Sequence, residues 1–203
     1  MSFTDVSPGD YFYAGVRWLY CRGVITGYGD HTFRPYNLTT RAQMAKFVVL
    51  AFGFEIYTPV APTFRDVYRW NPFYSFIETA AHNSIVAGYS CGDPGEPCPG
   101  AYFRPNNFVT RGQMSKFIVV AAGWPVINPV IPRFNDVPID STFYTFVETG
   151  FCRQVFTGYD CGEPGEPCPG LYFRPNNNAT RGQISKMVYE AAMNHPCLPG
   201  AAP

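Results

Sequence analysis

Charge is what this sequence has least of. Asp, Glu, Lys and Arg make up 15% of its 203 residues, and 15 basic side chains are cancelled by 15 acidic ones. A neutral chain with a pI near 6.8 has no electrostatic footprint for nucleic acid or for an anionic membrane surface. No apolar run approaches the roughly 20 residues that cross a bilayer, so no membrane span is expected. The opening MSFTDVSPGD has neither a basic nor an apolar segment, so a secretory leader is not visible. Histidine is scarce: His31, His82 and His195 are the only three, and they share no position in the repeats described below. The sequence also lacks a nucleophile elbow, a zinc-binding helix and a phosphate-binding loop. These absences lead us to expect no enzyme, no cofactor and no metal.

Aromatic residues, by contrast, reach 17%, and there are 20 Pro, 19 Gly and seven Cys. Seven cysteines without metal-ligand spacing fit an oxidising compartment. The odd number leaves at least one thiol free or paired between molecules. The chain is also repetitive, which is the first thing to test in any sequence. Phe3-Thr-Asp5-Val6 returns as Phe64-Arg-Asp66-Val67 and Phe134-Asn-Asp136-Val137. Gly27-Tyr28, Gly88-Tyr89 and Gly158-Tyr159 follow 24 residues after each Phe. Then come Phe33-Arg34-Pro35, Phe103-Arg104-Pro105 and Phe173-Arg174-Pro175, and eight residues after each of these Phe stand Arg41, Arg111 and Arg181. The boundaries read as repeat 1 (3–63), repeat 2 (64–133), repeat 3 (134–194) and a Pro-rich tail (195–203), together one domain spanning 1–203.

Each repeat reads as helix, turn, helix, which makes the fold mainly α. The first helix covers about Tyr11–Arg22, with Phe12, Val16 and Leu19 at helical spacing and Gly23 placed to end it. In repeat 2, Asn71-Pro72 reads as an N-cap followed by Pro at the first helical position. Thr40-Arg-Ala-Gln43, Thr110-Arg-Gly-Gln113 and Thr180-Arg-Gly-Gln183 match the capping box that opens the second helix. Pro-rich connectors such as GWPVINPVIP (123–132) read as extended and stiff.

One spacing breaks the pattern. The GY and FRP motifs are six residues apart in repeat 1 and 15 in the other two, where CGDPGEPCPG (91–100) and CGEPGEPCPG (161–170) are inserted. Repeat 1 turns without the insertion, which argues against a required structural metal. Each loop offers two cysteines, short of the four ligands of a structural zinc. Cys91 with Cys98, and Cys161 with Cys168, are therefore expected to close two disulfide loops. Among Cys21, Cys152 and Cys197 one further pair is expected, with the partners left open.

Four motifs in fixed order, three times over, resemble the S-layer homology domain, and the resemblance covers nearly the whole chain. It implies a pseudo-threefold helical assembly of three repeats, located outside the cell at its surface. It also implies non-covalent attachment to the cell envelope through an anionic cell-wall polysaccharide. Carried over by position, the family's ligand-side Arg falls on Arg41, Arg111 and Arg181, and its FxDV Asp falls on Asp5, Asp66 and Asp136. Three departures are visible. Gln43, Gln113 and Gln183 stand where the family has Glu; Tyr11, Pro72 and Thr142 stand where it has Trp; and His31 stands where Gly is common.

Plainer roles stay open for the same residues. The arginines could bond a neighbouring repeat's backbone or the FxDV Asp, the Asp residues could form turns, and the GY and FRP aromatics could pack the core instead of stacking on sugars. A second functional reading is a self-assembling subunit of an S-layer, tube or filament, a homo-oligomer built through low charge, aromatic surface and stiff loops.

Overall fold

The computed structural model describes residues 2–193 and 195–197. The last residue of the third repeat, 194, and tail residues 198–203 lie outside the described residues. The described residues form six helices and two short hairpins. The helices are α1 (Tyr13–Cys21), α2 (Arg41–Ala51), α3 (Tyr74–His82), α4 (Arg111–Ala121), α5 (Tyr144–Cys152) and α6 (Arg181–Ala192). Strands β1 (Tyr89–Ser90) and β2 (Ala101–Tyr102) pair antiparallel, as do β3 (Tyr159–Asp160) and β4 (Leu171–Tyr172).

Helices α2, α4 and α6 pack against one another, with Met44, Val48, Met114, Ile118, Ile184 and Val188 fully buried. An outer helix lies on each: α3 on α2, α5 on α4, and α1 on α6. Each outer helix therefore packs on the inner helix of a different repeat, so the two helices of one sequence repeat belong to different packed pairs. The closest approach is at Gly15 of α1, where a Cβ would collide with the Ser185 carbonyl of α6.

The capping boxes form as expected. Thr40, Thr110 and Thr180 each accept the amide of the Gln three residues on, and each Gln carbonyl takes the cap amide in return. The outer helices start differently. Asn71 does not cap α3, which begins at Tyr74 behind Phe73. Its Oδ1 accepts the Phe73 amide (2.9 Å) and its carbonyl accepts the Tyr74 amide, so Asn71 shapes the turn before the helix. Gly23 does end α1, at φ +69°.

The connectors have no regular secondary structure and are strapped to the outer helices. Glu78 accepts the Thr63 amide (3.0 Å) and hydroxyl (2.6 Å), Thr79 accepts the Tyr57 amide (2.9 Å), and the Tyr74 hydroxyl reaches the Pro59 carbonyl (2.8 Å). In the next repeat Glu148, Thr149 and Tyr144 hold Arg133, Ile127 and Pro129 in the same way. Burial pushes the Glu148 carboxyl above its ordinary pKa, opposed by the Arg133 amide.

Three backbone bonds join the repeats in a cycle. The Thr39 amide donates to Ala179, Ala179 to Val109, and Val109 to Thr39 (3.1, 2.9 and 2.9 Å). All three residues are fully buried, and the Thr39 hydroxyl finds no partner among the described residues. An orphaned buried hydroxyl costs roughly 1–3 kcal/mol. Thr39→Val, which copies Val109, is therefore expected to stabilise the fold by about 1 kcal/mol in urea unfolding. Lower stability would mean that the hydroxyl has a partner after all.

Candidate functional site

The motifs meet in each repeat. Asp66 spends both carboxylate oxygens on consecutive amides, Phe103 (2.8 Å) and Arg104 (2.5 Å). Asp5 and Asp136 grip Phe33–Arg34 and Phe173–Arg174 identically. The gripped Arg lies in the left-handed region each time, at φ +59°, +58° and +58°, a conformation that costs a non-Gly residue free energy and persists only when its surroundings fix it. The FxDV Phe packs on the FRP Phe (ring centroids 5.5 Å for Phe64–Phe103) and on the GY glycine, whose φ near +70° and lack of Cβ are both required there.

The turn so formed points its carbonyls at another repeat. Phe103 O accepts the Arg41 Nε (2.8 Å), Asn107 O the Arg41 amide (2.9 Å) and Pro105 O the Ala42 amide (3.1 Å). Phe173, Asn177 and Pro175 serve Arg111 and Gly112, and Phe33, Asn37 and Pro35 serve Arg181 and Gly182. The arginines' carboxylate alternative is thus not used: each Nε donates to a backbone carbonyl, and Arg111 Nη1 also donates to the Tyr159 hydroxyl (3.2 Å). They are only 4%, 2% and 7% exposed. Burial depresses each guanidinium below its ordinary pKa, and the neighbouring FRP arginine adds to the effect.

Each buried Arg faces a groove. The first groove, about 230 Å³, is lined by Arg181, Tyr28, Gln43, Lys46 and Phe73. The second, about 200 Å³, has Arg41, Tyr89, Gln113, Lys116 and Phe143, and the third, about 310 Å³, has Arg111, Tyr159, Gln183, Lys186 and Tyr11. Every groove therefore has the same plan: Arg from one repeat, Tyr, Gln and Lys from a second, and an aromatic near the start of an outer helix. Gln113 and Gln183 donate to the Tyr89 and Tyr159 hydroxyls (2.7 and 2.9 Å). A guanidinium lies over each face-exposing Tyr: Arg41 and Arg104 sit 4.7 and 4.5 Å from the Tyr89 ring centre. Among the described residues none of the three arginines or three lysines makes an ion pair. The FRP phenylalanines are core, while the GY tyrosines are groove wall. The lysines were not singled out by sequence. Their signal is a fixed place three residues after the capping-box Gln, hence the same helix face.

The expected loop disulfides are present, Cys91–Cys98 and Cys161–Cys168, so these cysteines are not available as thiolate ligands. The open pair resolves as Cys152–Cys197, leaving Cys21 free and exposed. Inside the loops, Glu96 holds Arg104 through two bonds of 2.9 Å, and Asp93 adds a contact of 3.0 Å. Glu166 and Glu163 do the same for Arg174. Repeat 1, without a loop, uses Asp30 for Arg34 (3.1 Å).

The sequence profile of the S-layer homology domain matches residues 2–45 and 63–115. These two segments are S-layer homology domain sequence. The third repeat, unmatched by the profile, repeats the same clamps and capping box. Similar proteins include an endoglucanase of Bacillus sp. (strain KSM-635), 29% identical over 92% of this chain and 18% of its own length. The middle cell wall protein of Brevibacillus brevis is 29% identical over 87% of this chain and 14% of its own, and the surface layer protein of Brevibacillus choshinensis is 31% identical over 58% and 10%. The chain spans less than a fifth of these relatives' lengths, so the endoglucanase brings no catalysis to it. This S-layer homology module is a cell-surface module of the anchoring type. No described helix is long and apolar enough to cross a membrane.

The hydrogen bonds to Arg174 hold Glu166 at a pKa of about 2. Its folded value lies below the unfolded one. Its contribution is therefore complete above an unfolded Glu's pKa, about 4.3, and is lost as pH falls toward about 2. Glu166→Gln should lower stability at pH 7, with the difference from the parent vanishing near pH 2. A constant difference across acid-dependent urea unfolding would contradict the clamp.

Proposed function

We propose that the three grooves bind an anionic cell-wall polysaccharide and thereby attach the cell-surface protein that carries this module. One observation carries the reading: each groove holds a nearly buried guanidinium, a lysine and no carboxylate that neutralises them. Removing a cation from water costs several kcal/mol. One carbonyl bond to the charged group returns about 1.5–3 kcal/mol and ring stacking about 0.5–2, but neither supplies opposite charge. A carboxylate on the ligand would do so, with the terminal guanidinium nitrogens as donors. Arg41, Arg111 and Arg181 contact the ligand in this reading. Asp5, Asp66 and Asp136 act one step back, by holding the turn that aims each Arg.

The cyclic order of the inter-repeat bonds supports a pseudo-threefold arrangement of the three repeats within one domain. Three equivalent grooves on one polymer would multiply weak affinities. The self-assembling reading has its own support in exposed apolar connectors, Val60 and Val130 at 79% and 84% exposure.

Pelleting with isolated cell walls tests the proposal. Replacing Lys46, Lys116 and Lys186 together by Ala should leave the melting temperature unchanged and weaken pelleting at least about tenfold. Single replacements should each weaken it less, and added salt should weaken all. Undiminished pelleting of the triple variant would remove the grooves from the anchoring role.

A further inference from the structure

The repeats act as controls for one another, and one surface feature occurs in only one of them. Tyr68 and Trp70 lie 54% and 79% exposed with parallel rings, centroids 5.3 Å apart and planes 9° apart. The corresponding positions are Ser7 and Gly9 in repeat 1 and Pro138 and Asp140 in repeat 3. The same holds for Arg65, which corresponds to Thr4 and Asn135. The backbone is alike in the second and third repeats: the amides of Arg65 and Asn135 donate to Ala101 and Leu171 at 2.9 Å. Two repeats thus build the fold without these side chains, and water-exposed Trp and Tyr gain nothing from burial.

Tyr68 and Arg65 wall an open cleft of about 420 Å³ with Glu96, Pro97 and Tyr102. The opposite wall is the tip of the Cys91–Cys98 loop, held in place by the Tyr102 hydroxyl on Pro97 O (2.8 Å) and by Glu96 on Arg104. The Arg65 stem crosses Gly100, where a Cβ would come within 2.6 Å of it. The cleft's acids are already engaged: Asp66 on two backbone amides and Glu96 on Arg104. Arg65 has no side-chain partner recorded among the described residues, so the cleft offers unengaged donors beside a flat aromatic face.

We propose that Tyr68, Trp70 and Arg65 form a second glycan site, separate from the grooves, that takes a carboxylate-bearing sugar. The apolar face of a pyranose stacks on the Trp70 ring, an amphipathic surface suited to such contacts. The sugar's carboxylate meets the Arg65 fork. The disulfide loop of repeat 2 is a wall of this site. The site does not depend on the groove reading.

The test is a titration of the intact chain with an oligogalacturonate and with a neutral maltooligosaccharide of equal length. It is read by tryptophan emission, since Trp70 is exposed whereas Trp124 is buried and Trp18 only part-exposed, and by calorimetry. The acidic oligomer should give a saturable change. Trp70→Ala should weaken its binding about tenfold or more. In the tryptophan signal, Arg65→Gln should erase its advantage over the neutral sugar, and replacing Lys46, Lys116 and Lys186 by Ala should change nothing. No saturable binding by the parent, or full affinity in Trp70→Ala, overturns the site. Equal affinity for the neutral oligomer overturns the assignment to an acidic sugar. Loss of binding in the lysine variant assigns the signal to the grooves instead.

Discussion

The structure depends on how the inner helices begin. A helix leaves its first amides without intrahelical partners, and an Arg in the first turn faces the positive end of the helix dipole. Here the Thr–Gln capping box satisfies part of each N-terminus. The remaining amides, and the guanidinium itself, are satisfied by an FRP turn from another repeat. No repeat can complete its own inner helix. Folding one copy without its neighbours would leave buried N–H groups and a desolvated cation unpaired, a cost of several kcal/mol. The cycle of Thr39, Val109 and Ala179 closes the same dependence at the centre.

The device that joins the repeats also makes the grooves. The Phe103 carbonyl oxygen holds the Arg41 guanidinium by one edge and cannot cancel its charge. Lys116 stands on the same wall as Gln113, whose amide is tied to Tyr89. A cation that is bonded but not neutralised is tolerable because it also buttresses the interface between repeats. It favours an acidic ligand for the same reason. Interface and site are therefore not separable by mutating the arginines, whereas the lysines are half-buried groove residues without ion pairs, Lys46 and Lys116 lying 5.8 Å over the Phe76 and Phe146 rings.

Much of this was legible in the residues, and what was not has a physical cause. Fixed spacings gave the repeats, S/T-x-x-Q gave the capping boxes, and the nine extra residues gave the loop disulfides. The start of α3 was placed two residues too early because an Asn side chain stabilises a turn as readily as a helix cap. The partner of Arg41 was ambiguous because a guanidinium bonds carbonyls and carboxylates alike, and only the fold shows that Asp66 is already occupied. Cys152–Cys197 could not be chosen over pairs with Cys21, since the choice depends on the path of the chain after α6. The lysines sit in a helix run whose apolar residues dominate its pattern, and their meaning appears only when Gln113 and Lys116 are seen on one groove wall.

The cysteine loops show how the fold accepted an insertion. In repeat 1 a short turn closes with the Tyr28 amide bonded to the Thr32 carbonyl (2.9 Å), and Asp30 within it holds Arg34. In repeats 2 and 3 the corresponding segments pair as short strands, Tyr89 with Tyr102 and Tyr159 with Tyr172, and the added residues lie beyond them. Lengthening a turn costs little closure entropy, but displacing Asp30 would have stranded the FRP arginine beside the GY tyrosine. The loop brings its own carboxylates: Glu96 and Glu166 supply bidentate bonds, and Asp93 and Glu163 a further contact. The replacement binds the arginine with more contacts than the original, and the disulfide keeps those carboxylates in reach. The insertion therefore preserves an electrostatic partner the groove needs while adding a rigid wall outside it. On the second repeat, opposite Tyr68, that wall borders an open cleft of about 420 Å³.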